Sequence, residues 1–431
     1  MSGENRQFGY NSRLLRVDLT QRKHFTQEIP YEVLRTYVVG SALGGYFLLM
    51  ELQLNVDPLD PSNLLIISTS PITTFKAPGL SMFSISFKSP LTGFVGEVLT
   101  PGFMGYQLKR CGYDVLIISG RSNLPTYVCV TDSGVEVALK CYEAVAGNGM
   151  DGASLGGTLA FAIGCFEKGL INESQTGGIR LRFGNGDAIL RLIELIVRRE
   201  GFGDILARGS KKASELIGEG AINYAMQSKG LELPMHEPMA KAMLGLGYAV
   251  SPVGPNYVVV EHNTDFDFNA PELFMEQIAP LGLTKGFEST DLSIGKIRLY
   301  FYMGQVFSSL NVLCACIYAS APVRFYSFAN LVNLFNSITS WETSLFEFMK
   351  AGERKNNLNR LFAYREGFSG KDDVLPERVF EPIESGTKAG YKLSRDNFYE
   401  MVKFYYDMAG WDFKIGKPDV SKLVELGIEF A

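Results

Sequence analysis

The cysteines and histidines are the first residues to consider for catalysis or metal binding. The chain has six cysteines and three histidines, and only Cys314 and Cys316 lie close together. No pair of cysteines has the CxxC spacing that is common at zinc and iron–sulfur sites. A Cys-x-Cys pair in an apolar run more often packs in a core, because free cysteine behaves as a small hydrophobe. Three histidines leave little material for a metal site or a triad, so hydrolase chemistry is disfavoured.

A segment rich in glycine and proline is the next candidate for a functional site. It covers 244–265, LGLGYAVSPVGPNYVVVEHNTD, and ends with the polar residues Glu261, His262 and Asp265. Glycine permits positive φ angles and close approach of the backbone to a ligand, and proline fixes the neighbouring turns. The pattern therefore predicts a rigid loop that cradles a ligand. The alternative is a tight connection between two helices.

Length and charge narrow the class of protein. The 431 residues exceed one ordinary hydrophobic core, so we expect two or three domains. Charged residues make up 20% of the chain, the formal net charge is -5, and Lys and Arg form no cluster typical of a nucleic-acid-binding face. The N-terminus lacks an apolar stretch of signal-peptide length, and no run approaches the roughly 18 apolar residues of a membrane span. We expect a cytoplasmic protein that binds neither nucleic acid nor membrane.

The predicted secondary structure that positions these residues changes from mainly strands to helices at about residue 148. Before this point, alternating and continuous apolar runs predict strands, and 103–111 is predicted as a short helix that ends at Gly112. After it, apolar residues recur at helical spacing and strand–helix alternation is absent. The predicted strands cover 8–20, 24–26, 63–68, 115–119, 127–130 and 135–139. The predicted helices after the boundary cover 154–169, 187–200, 205–217, 297–313, 329–337, 343–363 and 395–409.

These patterns predict an α+β fold with two parts. The first is a β-rich N-terminal domain over 8–148, and the second is an all-helical body over 149–431. The boundary is the glycine-rich junction 147–152. Because the helical part offers no alternating strands, we do not expect one parallel sheet to run through both parts.

Several short motifs, taken together and in order, resemble those of a known family. KSPLTGF at 88–94, followed by Gly102, Gly105 and KRCGYD at 109–114, is similar to the N-terminal domain of the aldehyde ferredoxin oxidoreductases. Motifs that match the helical half of the family follow at 199–204, 206–210, 231–234, 245–249, 373–378 and 426–428. The resemblance covers nearly the whole chain, and it implies a pterin-binding type of N-terminal domain followed by helical domains.

The resemblance also implies an activity and a set of site residues. Members of the family oxidise aldehydes to carboxylic acids at a tungsten or molybdenum bis-pterin centre, and the electrons leave through an iron–sulfur cluster to ferredoxin. Tyr257 stands at the place of the histidine that handles the proton, and His262 is the alternative. Cys314 matches the fourth cysteine ligand of the cluster. The implied cofactor-binding residues are Gly102, Asp151, Asn311, Leu313 and Cys314.

Simpler roles compete with these assignments. Asp151 precedes a predicted helix in a glycine-rich turn, where an aspartate usually caps the helix, and we favour that role. Cys314 and Cys316 could only fill a helix face. If a pocket is present, we expect 245–257 to form one wall and the end of the helix at Leu313 and Cys314 to form the other.

Other features depart from the family pattern. The sequence passes directly from Asn148 to Asp151 where the family has a large block with three cluster cysteines, and the cofactor-contacting groups of the family fall at Met82, Leu99 and Ser309. One matching thiolate cannot hold a four-iron cluster. We therefore predict that the iron–sulfur cluster is absent and that binding of the bis-pterin is weak or lost.

Three functional hypotheses follow. The chain is an aldehyde-oxidising enzyme that uses ferredoxin, a degenerate non-catalytic scaffold or partner subunit of a full-length paralogue, or a small-molecule binding module that kept its pocket. The missing block favours the second over active catalysis. A homo-oligomer and a complex with a paralogue are the candidate assemblies.

Overall fold

A six-stranded mixed sheet occupies the N-terminal third of the chain. The computed structural model describes residues 8–75, 77–123, 126–131, 134–139, 150–234, 236–256, 263–320, 326–384 and 388–431. The strands are β1 (Arg13–Asp18), β2 (Lys23–Glu28), β3 (Leu65–Ser68), β4 (Met82–Lys88), β5 (Val95–Pro101), β6 (Val115–Ser119), β7 (Thr126–Thr131), β8 (Gly134–Leu139), β9 (Gln227–Ser228) and β10 (Leu231–Glu232). The sheet order is β2-β1-β6-β3-β4-β5, in which only β1 and β6 pair in parallel. Strands β7 and β8 form a separate hairpin.

Apolar runs explain the centre of this sheet. Strands β3 and β6 consist almost wholly of Leu, Ile and Val, and they lie side by side with Ile66 opposite Ile117. Both side chains are buried, as expected for strands that are covered on two faces. Among the described strands, β5 pairs with β4 alone and is therefore an edge strand. Its residue Glu97 contacts Asn311 and Lys355 in the helical part of the chain.

Helices dominate the remainder of the described residues. They are α1 (Tyr31–Tyr37), α2 (Gly40–Glu51), α3 (Phe103–Arg110), α4 (Gly152–Glu167), α5 (Gly186–Arg198), α6 (Phe202–Leu206), α7 (Gly209–Ile217), α8 (Ala242–Val250), α9 (Glu272–Ile278), α10 (Ile294–Val312), α11 (Ile317–Ser320), α12 (Phe328–Thr339), α13 (Leu345–Arg365), α14 (Arg395–Ala409) and α15 (Val420–Leu426). From residue 150 onward, the described residues contain only the two-residue strands β9 and β10. The predicted α+β class is confirmed. The predicted helix 205–217 is divided at Gly209, whose φ is +80°.

The described residues form three hydrophobic cores. A large core joins one face of the sheet to α8 and to the helices from α10 onward, and a smaller core lies within α4 to α7. The smallest joins strand residues such as Leu15 and Leu116 to Leu108 in α3 on the other face of the sheet. Helices α10 and α13 pack closely at Gly352, where an added Cβ would lie 2.4 Å from the carbonyl oxygen of Gln305. The domain boundary near residue 148 falls at 140–149, outside the described residues, and remains a prediction.

Helix α8 corrects the prediction of a rigid loop over 244–265 for its first part, 244–250. Residues 257–262 of that segment lie outside the described residues. The chain is helical as far as Val250, and all nine residues of α8 are buried. An added Cβ at Gly245 would meet the Cβ of Pro238 at 3.2 Å and a ring carbon of Phe398 at 3.5 Å. Glycine weakens an isolated helix by about 1 kcal/mol relative to alanine, but here burial on all sides outweighs that preference. The glycine provides close packing rather than a loop.

The helices do not meet the requirements of a membrane span individually. Among the described residues, none is by itself both long and apolar enough to cross a bilayer. Helices α1 and α2 meet the length and composition test only as a pair, with a bend of 118° between them.

Candidate functional site

A cavity of about 610 Å³ lies where the edge strand β5 meets α4, β10 and the end of α10. Apolar side chains form much of its wall: Phe87, Pro90, Leu91, Val98, Leu99, Leu231, Pro234, Val253 and Pro255. The polar side chains are Ser89, Thr92, Glu97, Asp151, Ser154, Glu232, Asn256 and Asn311. This size falls within the range of about 300–1,000 Å³ that is typical of small-molecule sites.

Glu97 anchors the sheet edge to the helices. Its side chain is 4% exposed, and one carboxylate oxygen accepts a hydrogen bond from Lys355 Nζ at 2.9 Å. The same oxygen accepts from Asn311 Nδ2 at 3.3 Å, and the other accepts from Asn359 Nδ2 at 3.1 Å. The Lys355 side chain is 1% exposed. Glu97 and Lys355 therefore form a buried ion pair, with no net charge, between β5 and α13.

Glu232 is held differently, by neutral donors. Its Oε1 accepts from the backbone N–H of Ser210 at 2.7 Å and from Thr158 Oγ1 at 3.2 Å, and its Oε2 accepts from Ser154 Oγ. It is 2% exposed, and no Lys or Arg in the described part of the chain forms an ion pair with it. Gly157 makes room for it, because an added Cβ there would lie 2.8 Å from the Cβ of Glu232. The carboxyl group links α4, the start of α7 and β10.

Asn311 presents an unused acceptor. The residue is 5% exposed and lines the cavity. Its amide nitrogen donates to Glu97, and since a carboxylate only accepts hydrogen bonds, this contact defines the orientation of the amide. The side-chain carbonyl oxygen has no hydrogen-bond partner among the described residues. A cofactor-contacting role for Asn311 stays a prediction, which its position at the cavity supports.

Asp151 lies at the exposed mouth of the cavity. Its Oδ1 accepts from the backbone N–H of Ser154 at 2.7 Å, which makes it the N-cap of α4. The capping role predicted for Asp151 is confirmed. Contact with a pterin stays a prediction.

Leu313, Cys314 and Gly102 lie away from the cavity surface. Cys314 is fully buried with φ +52°, and its thiol donates to the carbonyl oxygen of Ser68 at 3.7 Å. Burial raises the pKa of the Cys314 thiol to about 12. The carbonyl oxygen of Leu313 accepts from Ser70 Oγ at 2.6 Å, and Gly102 precedes α3 with φ +139°. None of the three lines the cavity, so their predicted cofactor contacts gain no support from its geometry.

The cavity walls match the prediction only in part. Val253, Pro255 and Asn256 line it, as expected for the 245–257 wall, and Asn311 represents the end of α10. Tyr257 and His262, the predicted proton-transfer residues, lie outside the described residues. Sequence reasoning missed Glu97 and Glu232 as cavity residues. The available signal was a single carboxylate within the otherwise apolar stretches VGEVL and LELP.

Two family models match the sequence of this chain. The model described as aldehyde ferredoxin oxidoreductase, N-terminal domain, matches residues 14–153, and the model for domains 2 and 3 matches residues 129–428. The chain belongs to the aldehyde ferredoxin oxidoreductase family. The resemblance identified from the motifs is thereby confirmed.

Relatives of known function are distant. The tungsten-containing aldehyde ferredoxin oxidoreductase of Pyrococcus horikoshii is 22% identical over 625 aligned residues, covering 98% of this chain and 99% of that protein. The alignment has 625 positions and this chain has 431 residues, a difference of 194. At least 194 residues of the relative therefore have no counterpart in this chain. An aliphatic sulfonate oxidoreductase, WOR-like subunit, of Pyrococcus furiosus is 38% identical over 133 residues, covering 30% of this chain and 21% of that protein.

A solved structure shares the fold. It is the active-site complex BamBC of benzoyl coenzyme A reductase with 1,5-dienoyl-CoA, and it matches with a TM-score of 0.78 at 16% identity. The match covers 98% of this chain and 98% of that chain. At this identity the likeness shows the fold alone.

The described lining residues do not fit a tungsten bis-pterin centre. Carboxylates and Asn311 offer acceptors for pterin N–H groups, but phosphate groups require cationic or N–H donors. No described residue that lines the cavity is Lys, Arg or His, whereas Asp151 and Glu232 would repel phosphate. Within the described ranges, no group of three or more His, Cys, Asp or Glu side chains is placed to hold a metal ion.

Cys314 should react slowly with alkylating reagents in the native protein. With a pKa of about 12, only about one thiol in ten thousand is ionised at about pH 8. Treatment with iodoacetamide followed by peptide mapping should show modification of Cys314 at least about tenfold slower than that of Cys316, which is only partly buried. In urea the two rates should converge. Equal rates in the native protein would contradict the buried position of Cys314.

Proposed function

We propose that this chain is a degenerate, non-catalytic member of the aldehyde ferredoxin oxidoreductase family. It keeps the fold and the cavity but does not retain a tungsten or molybdenum bis-pterin or an iron–sulfur cluster. The observation that carries the proposal is the charge of the cavity. Its described wall contains three carboxyl groups and no cationic side chain, and among the described residues only Glu97 has a cationic partner.

The positions that depart from the family pattern support the proposal. Leu99 contributes an apolar side chain to the cavity, and Met82 is buried in β4. Ser309 is buried in α10, where its hydroxyl donates to the carbonyl oxygen of Val306 at 2.6 Å. Each polar group of a buried cofactor that is left without a partner costs about 1–3 kcal/mol. Three such unpaired groups amount to several kcal/mol, on the order of a thousandfold in affinity.

In this proposal the chain acts as a cytoplasmic scaffold or as the partner subunit of a full-length paralogue. This chain lacks counterparts for 194 or more residues of the relative. That difference supports the role of a partner subunit, because a full-length paralogue could supply the missing chemistry. The second candidate is oxidation of a small aldehyde with ferredoxin as electron acceptor. Family membership favours that candidate, and the same experiment tests it.

The decisive measurement is the cofactor content of the purified protein. The chain and a full-length relative are produced in parallel in a host that makes the tungsten–pterin cofactor. We expect no stoichiometric tungsten, molybdenum or iron by plasma mass spectrometry, and no fluorescent pterin after denaturation and oxidation. The relative controls for cofactor supply. Close to two pterins and one tungsten or molybdenum ion per chain, with aldehyde-dependent dye reduction, would establish the enzyme instead.

A further inference from the structure

We propose that the cavity between β5 and α4 binds an organic cation that carries an apolar group, with Asp151, Glu232 and Asn311 accepting its N–H donors. The inference rests on the proposed function, because a resident bis-pterin would occupy the same space. The ligand class is a protonated amine, an amidinium or a guanidinium of small-molecule size.

The first step of the argument is the unpaired acceptor at Asn311. The side-chain carbonyl oxygen of Asn311 keeps some accessible surface, so a ligand in the cavity can reach it. The amide nitrogen donates to Glu97 at 3.3 Å. Rotating the amide by 180° would break this hydrogen bond, so the carbonyl oxygen keeps its position. It lies on a residue that is 5% exposed and that lines the cavity. A donor from a bound molecule would satisfy it.

The second step is the charge of the wall. Lys355 pairs with Glu97, but among the described residues Glu232 accepts hydrogen bonds only from two hydroxyl groups and one backbone N–H. An ionised carboxylate has about four lone-pair sites, and the described donors use three of them. Asp151 uses one oxygen to cap α4 and keeps the other free among the described residues. Apart from the Glu97–Lys355 pair, the described part of the cavity wall therefore offers acceptors and negative charge without a counter-ion.

The third step is a second, mostly apolar cavity beside the first. This cavity of about 220 Å³ shares Leu91, Asp151 and Ser154 with the first. Its remaining wall is mostly apolar and includes Leu155 and Leu206. The proposal places the cationic end of the ligand among the acceptors and its apolar group beside this second cavity, at Leu91 and Asp151. This combination favours amphipathic cations over simple metal ions or ammonium.

Benzamidine is a suitable probe, because it joins a planar amidinium to an apolar ring. Isothermal titration calorimetry on the purified, cofactor-free chain should detect its binding, and benzoate, which has the same ring and the opposite charge, should not bind. Asp151→Asn should weaken benzamidine binding about tenfold, since it removes the charge while asparagine still caps the helix. Glu232→Gln should have a similar effect. The exposed Asp187→Asn is the matched control and should change nothing.

The outcomes separate this inference from the proposed function. In a sample that contains no pterin, the inference is wrong if benzamidine binds no better than benzoate. It is also wrong if Asp151→Asn and Asp187→Asn have equal effects. The proposed function would stand in either case. Retained pterin would overturn both. If Glu232→Gln does not fold, as judged by circular dichroism, Asp151→Asn alone decides the test.

Discussion

Replacement of Glu97 by glutamine should lower the free energy of unfolding by about 3–5 kcal/mol, the usual cost of removing one member of a buried ion pair. The reason is the ammonium group of Lys355, which is 1% exposed and lies 2.9 Å from the carboxylate. Without the carboxylate, a buried charge remains without a counter-ion. Urea denaturation followed by circular dichroism measures the loss.

Two further variants identify the origin of this effect. Adding Lys355→Met to Glu97→Gln should restore part of the stability, because it removes the uncompensated charge. Glu51→Gln is the matched control, since Glu51 pairs with Arg16 at 2.6 Å on the surface with 31% of its side chain exposed. That change should cost less than about 1 kcal/mol. Equal losses for Glu97→Gln and Glu51→Gln would contradict a buried ion pair between β5 and α13.

Local patterns were sufficient to predict most of the elements. The apolar runs at 63–68 and 115–119 became β3 and β6, because a continuous apolar strand is stable only where both faces are covered. The helix predicted over 103–111 ends before Gly112, whose φ is +86°. In both cases the deciding information lies within a few residues of the element.

Local patterns failed where distant packing decides the structure. Gly245 reduces helix propensity, yet α8 forms because side chains such as Phe398 surround it. The candidate site shows the same limit. The capping role of Asp151 depends on Ser154, three residues away, and was predictable. The role of Glu97 depends on Lys355, which is 258 residues away, so no local pattern could indicate it.

The second large effect is expected at Asp373, the carboxylate of a fully buried ion cluster. Arg360 Nη1 lies 2.8 Å from its Oδ2, Lys229 Nζ lies 2.9 Å from its Oδ1, and all three side chains are completely buried. Tyr406 donates its hydroxyl to the same carboxylate. Burial lowers the pKa of Lys229, and Asp373 opposes that shift. One carboxylate therefore balances two cations.

Asp373→Asn should destabilise the protein by about 3–5 kcal/mol or more, because it leaves two buried cations without a counter-ion. Lys229→Met should cost less, since Arg360 and Asp373 remain paired. Asp407→Asn is the control, because Asp407 is exposed on α14 beside Tyr406. Thermal unfolding followed by circular dichroism should show the largest loss for Asp373→Asn, a smaller loss for Lys229→Met and the smallest for Asp407→Asn. If Asp373→Asn does not fold, the comparison of Lys229→Met with Asp407→Asn still tests the cluster. Similar melting temperatures for Asp373→Asn and Asp407→Asn would contradict the cluster.

The position of Lys229 connects this cluster to the cavity. Lys229 lies in the turn between β9 and β10, and it also donates to the carbonyl oxygen of Ala249 in α8. Glu232 follows three residues later in β10 and lines the cavity. Because the ribbon has only two residues in each strand, its own hydrogen bonds cannot hold it rigidly. The buried ion cluster therefore supports the wall that presents Glu232 to a ligand.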